Sequence, residues 1–132
     1  YTKRYLNIVD LFIARCLKRD VSIHKEITRE ANYYLCSYVV ELRACALYKS
    51  YDAELRSNSM PFRLKSIISE EVSHLSQMKS WIKFNKLENV VLECIRKEEF
   101  LFSKFIQEIA KDITAYTNNN NHSVVDEMRY IV

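Results

Sequence analysis

The chain is predicted to be all-α, an antiparallel bundle of about four helices joined by short connections. Three observations carry that expectation. Its 132 residues contain no glycine and one proline, Pro61, whereas strand-rich folds need glycine at their tight turns. Apolar residues recur at helical spacing in almost every segment. The few polar breaks are short, as antiparallel neighbours require. At this length the chain is read as one domain, 1–132, able to bury a single core.

The first helix is expected over residues 3–18, where Tyr5, Leu6, Ile8, Val9, Leu11, Phe12, Ile13, Cys16 and Leu17 form a wide apolar face. Its basic flanks (Lys3, Arg4, Lys18, Arg19) also admit a helix lying on a membrane surface, although a face this wide more commonly packs into a core. Asp20-Val21-Ser22 reads as a break with capping residues. A long helix then spans 23–55, with the stripe Leu35, Val39, Leu42, Ala46. Beside that stripe runs a more polar row: Glu30, Tyr34, Tyr38, Glu41, Cys45, Tyr48. The segment Arg56–Pro61 ends this helix, and a third spans 62–84, with proline tolerated in a first turn.

The third helix carries Leu64, Ile67, Ile68, Leu75, Met78 and Ile82 on one side, interrupted by Glu71 and His74. Residues 85–89 form a turn. A fourth helix follows over 90–115, with the stripe Val91, Ile95, Glu98, Phe102, Phe105, Ile109, Ile113, in which Glu98 is the one charged member. The four asparagines 118–121 read as a polar loop, and Ser123-x-x-Asp126 as a capping box opening a terminal helix within 118–132.

The charge of +3 is small and the basic residues are interleaved with acids, so the sequence gives no basic face and no nucleic-acid partner is expected. No run of eighteen apolar residues exists, so no membrane span is expected. Four dispersed cysteines without a Cys-x-x-Cys pair read as buried reduced thiols, and a cytoplasmic location follows from that. Ser73 beside His74 points elsewhere on a helix, so no nucleophile–base pair is defined.

Glu71-x-x-His74 is the half-motif of carboxylate-bridged metal sites in bundles. Residues equidistant from a short turn lie at one height. Glu41 stands seventeen residues before Asn58, and Glu71 and His74 thirteen and sixteen after it. His74 and Glu98 stand twelve on either side of Lys86. Glu41, Glu71, His74 and Glu98 are therefore expected at one level, within about a helical turn at 1.5 Å per residue. Carboxylates gathered together repel and take up protons, and a divalent cation relieves that. Three carboxylates with one imidazole suit iron, with manganese as the alternative.

Glu41 with Tyr48 seven residues on, and Glu71-x-x-His74 with Trp81 seven residues after the histidine, resemble the ferritin-like superfamily. Its short rubrerythrin-like and encapsulated-ferritin-like members and the demethoxyubiquinone hydroxylases are the most similar, over residues 30–84. The resemblance implies a di-iron centre where O2 is reduced, with Glu41 a terminal ligand, Glu71 a bridge, His74 the nitrogen ligand, and Tyr48 a hydrogen-bond donor behind them. The chain departs from the family in its short 85–89 connection and in having one Glu-x-x-His, which implies completion of the site by a second subunit. The expected function is thus Fe(II) oxidation or storage, or O2-dependent oxidation. The alternative is a non-enzymatic helical interaction module (effector, scaffold or adaptor), suggested by nine tyrosines. A homo-oligomer or a protein partner is expected either way.

Overall fold

The computed structural model describes residues 2–20, 23 and 25–129, with side chains as far as residue 119. The described residues form four α-helices: α1 (Thr2–Arg19), α2 (Thr28–Ser57, entered through a 3-10 turn at Lys25–Ile27), α3 (Lys65–Phe84) and α4 (Glu88–Arg129). There are no strands among the described residues, as the glycine-free sequence requires.

Paired side chains give the topology. Asp10 on α1 accepts from Asn32 Nδ2 on α2 at 2.8 Å, Asp52 on α2 is bound by Arg63 just ahead of α3, and Tyr34 on α2 stacks on Trp81 of α3. The clip joins the end of α2 to the start of α3 and the stack joins the start of α2 to the end of α3, so these two helices run antiparallel. On α1 and α4, Tyr5 stacks on Phe105 while Arg19 meets Glu93, which makes those two antiparallel as well.

The core lies where α1, α2 and α4 meet. Val9, Ile13, Cys16 and Leu17 of α1 close on Ala31, Leu35 and Val39 of α2 and on Leu87, Val90, Val91 and Cys94 of α4. Fully burying one such Leu, Ile or Val contributes roughly 1.5–3 kcal/mol. The four cysteines are free thiols. Burial, then the neighbouring Cys16 thiol, pushes Cys94 up to about 12, so this thiol stays protonated and behaves as a small apolar residue.

Helix α3 is peripheral. It packs mainly on α2, has no contact with α1 among the described residues, and buries only Ile82 fully. The stripe expected to fill a core is therefore mostly half-buried, and Ile67 near its start is 40% exposed.

Two identical stops end α2 and α3. In each, a non-glycine residue takes the left-handed conformation (Ser59, φ 52°; Lys86, φ 57°), and the next amide reaches back five residues: Met60 N to Leu55 O at 2.9 Å and Leu87 N to Ile82 O at 3.0 Å. This is the Schellman arrangement, which normally recruits glycine; using Ser and Lys costs roughly 1 kcal/mol at each site. Asparagine side chains at Asn58 and Asn85 cap carbonyls four residues back, at 2.8 and 2.9 Å, which offsets part of that cost.

Two expectations are corrected. The asparagine run 118–121 is not a loop, and no new helix starts at Ser123: α4 continues unbroken to Arg129. Asparagine lowers helix propensity by only about 0.6 kcal/mol, and no glycine or proline lies there to stop a helix already thirty residues long. The expected break at Asp20–Ser22 is described only at Asp20, which ends α1; residues 21, 22 and 24 lie outside the described residues.

Candidate metal centre

Glu41 occupies the α3-facing side of α2, about two turns beyond the stacked Tyr34. Glu71 and His74, three residues apart on α3, share a face and meet it across the helix pair. The Tyr34–Trp81 stack, 4.1 Å between ring centroids and 7° from parallel, fixes the register of the two helices one end of the site. The Asp52–Arg63 clip fixes it at the other. There Arg63 donates from Nε and Nη2 at 2.9 and 2.6 Å, and the Leu64 amide donates at 2.8 Å, which supplies the missing cap of α3.

Between these two fixtures one ligand atom each from Glu41, Glu71 and His74 lies within 4.8 Å of the others. The glutamates are half-buried and the histidine exposed. Oε2 of Glu41 is buried with no hydrogen-bond partner, a costly state for a carboxylate oxygen. Burial, then the charge of Glu71, raises the Glu41 carboxyl above its usual range, while His74 draws it back. The site opens into a groove of about 430 Å³ lined also by Tyr33, Tyr34, Gln77, Met78 and Trp81.

The donor set fits a divalent cation: two carboxylates and an imidazole, converging, one oxygen without a partner. A cation there would relieve the Glu41–Glu71 repulsion and give the orphaned oxygen its partner.

Glu98, expected as the fourth ligand, is elsewhere. It is 4% exposed and accepts from both Nε and Nη2 of Arg43, at 3.0 and 2.8 Å, and from the hydroxyl of Tyr5. The height argument was sound, but height does not fix direction. Glu41 and Arg43 are two residues apart on α2, roughly 200° around the helix, so they face opposite neighbours. Arg43 meets α4 and supplies the positive charge that Glu98 needs. That arginine in the sequence was the signal that Glu98 had an internal partner.

Tyr48, the expected hydrogen-bond donor, is half-buried on α2. It lies two turns beyond Glu41 and does not line the groove, whose aromatic wall comes from the opposite side: Tyr33, Tyr34 and Trp81. Tyr34 was legible in the polar row of α2, seven residues before Glu41, as Trp81 was seven after His74.

No family model, curated protein or solved structure matches the chain.

Proposed function

We propose that the chain is a ferritin-like metal protein that holds iron, or manganese, through Glu41, Glu71 and His74. The carrying observation is the convergence of these three ligand atoms within 4.8 Å across two helices, with Glu41 Oε2 buried and unpartnered. Glu41 and Glu71 supply hard oxygen donors and the negative charge that draws the cation in; His74 supplies the nitrogen. Iron bound here would supply the one-electron chemistry toward O2 on which Fe(II) oxidation or storage rests. Three protein ligands from one side leave the remaining positions open toward the groove. A carboxylate-bridged pair of ions therefore calls for a second copy of the chain facing the first, in keeping with a homo-oligomer.

Trp81 is the only tryptophan in the sequence and lines the same groove, so it reports occupancy. Anaerobic titration with Fe(II), or with Mn(II), should change its fluorescence in a saturable way, with the ions bound confirmed by metal analysis after desalting. Glu71→Ala and His74→Ala should abolish the change. Variants that bind iron as the native chain does would dispose of the site.

A second reading, a helical interaction module, is favoured by one feature. The stripe of α4 outruns the helices that cover its first half, leaving Ile106 45%, Ile113 61% and Tyr116 70% exposed. A pull-down in the presence of chelator separates the two readings, because such a module binds its partner without metal.

A further inference from the structure

The charge of this chain is small in total but unevenly placed. Along the seam between α1 and α4 stand six cations: Arg4, Arg15, Lys18 and Arg19 from α1, Lys97 and Lys104 from α4. They line two shallow grooves on that seam. Three acids share it: Glu93, already paired with Arg19 at 3.0 Å, Asp20 beside that pair, and Glu108. The seam thus carries three net positive charges, the whole of the chain's +3, and the rest of the molecule is balanced.

The arrangement is periodic. Residues 4, 8, 11, 15 and 18 of α1, spaced four, three, four and three apart, form one row: Arg4, Ile8, Leu11, Arg15, Lys18. It runs about 21 Å at 1.5 Å per residue. In its middle Leu11 is 57% exposed and Ile8 37%, and across the seam Phe100 of α4 is 51% exposed. An apolar ridge therefore stands between cationic ends. The lysine heads are held close to it, Lys97 over the rings of Phe12 and Phe100 at 5.5 and 5.2 Å and Lys104 over Phe100 at 4.5 Å.

We propose that this α1–α4 face docks on an anionic lipid surface. The cations meet the headgroup phosphates, and Leu11, Ile8 and the edge of Phe100 enter the boundary between headgroups and acyl chains. The inner side of α1 stays packed on the core, so the bundle adsorbs as a rigid body and spans nothing; no helix among the described residues is long and apolar enough to cross a membrane. A nucleic-acid backbone would use the same cations but leaves the ridge unexplained. Exposed aliphatic side chains gain nothing from phosphates, and the ring faces on which bases would stack are covered by ammonium groups. The residues lining the two grooves include no Asn, Gln, Ser or Thr to read a base edge.

Co-sedimentation with vesicles tests this, using pure phosphatidylcholine and phosphatidylcholine with about one-third phosphatidylserine. The native chain should bind the anionic vesicles at least about tenfold more tightly, with affinity falling as salt rises. Arg15→Glu/Lys18→Glu should abolish that preference. Lys65→Glu/Lys79→Glu, the same charge change on α3, which does not touch α1, should retain most of it. Leu11→Ser should weaken binding several-fold at unchanged charge. In a Trp81→Phe background, Leu11→Trp should give an emission blue-shift with anionic vesicles alone. Equal partitioning to both vesicle types overturns the proposal. So does full binding by Arg15→Glu/Lys18→Glu with its helical circular dichroism intact, or displacement from vesicles by a single-stranded oligonucleotide at lower concentration than by free phosphatidylserine vesicles.

Discussion

Glu98 and Glu41 stand at nearly the same height in the bundle and meet opposite fates. Glu98 lies between α2 and α4, 4% exposed, gripped by both arms of the Arg43 guanidinium and by the Tyr5 hydroxyl. Glu41 lies between α2 and α3, with Glu71 and His74 as its company and one oxygen orphaned. One acid is neutralised by the chain itself. The other is set beside a second acid and an imidazole, an arrangement that only protons or an external cation can neutralise. An acid buried in a bundle is thus a candidate ligand only when its own neighbours have left its charge unanswered, and what decides that is whether a packed neighbouring helix sets a basic side chain opposite it, as α2 sets Arg43 opposite Glu98.

The largest effect comes from breaking the satisfied side. Arg43→Met should cost about 3 kcal/mol, because it strands a buried carboxylate rather than merely deleting a contact. The loss is read from urea unfolding midpoints at neutral pH. Tyr5→Phe/Arg43→Met/Glu98→Leu, which removes all three polar partners, should recover most of it, since matched apolar groups need no counter-charge. Arg43 also lies 4.3 Å over the ring of Phe102, so recovery will be incomplete. A triple variant as unstable as the single one would show that the network itself, not the stranded charge, sets the cost.

A third acid sharpens the comparison through pH. Asp52 receives Arg63 and the Leu64 amide, and these hydrogen bonds, with Arg63 first, hold its carboxyl well below the usual range. Its folded pKa is lower than its unfolded one, so the stability it contributes is complete above the unfolded value of about 4 and is lost as pH falls below it. Asp52→Asn should therefore destabilise at pH 7 and flatten the acid limb of the stability curve. If native and variant chains lose stability in parallel between neutral pH and strong acid, the clip contributes nothing.

The helices of this chain were legible because its apolar period is strong and glycine is absent: α1 falls within a residue of the expected 3–18, and the third helix ends at Phe84 as read. The fourth was misread at Asn118 because a polar run was taken as a loop, although propensity penalties of a few tenths of a kcal/mol do not end a helix that nothing interrupts. Glu41, Glu71 and His74 were brought together as the spacing implied, since an antiparallel pair with a short turn fixes which residues are level. Glu98 was not, because level is one coordinate and azimuth another, and only the packing of α2 against two different neighbours settles the second.

The unsatisfied side yields the smallest effect and the most diagnostic. The Glu41 carboxyl is raised in the folded chain by burial and by Glu71. Whatever stability it adds is therefore present below the unfolded pKa of about 4.3 and lost as pH climbs through the higher folded value. At pH 7, Glu41→Gln removes a charge the fold disfavours and should raise the melting temperature of the metal-free protein by about 1–3 °C. Saturating metal should reverse the ranking. A cation at a hundred times its dissociation constant stabilises the native chain by about 2.7 kcal/mol, while Glu41→Gln, lacking one carboxylate, should gain far less. Thermal melts with and without Mn(II) read both effects in one experiment. A metal-free Glu41→Gln less stable than the native chain would mean the Glu41 carboxylate is answered within the fold as Glu98 is, and the contrast between the two glutamates would be void.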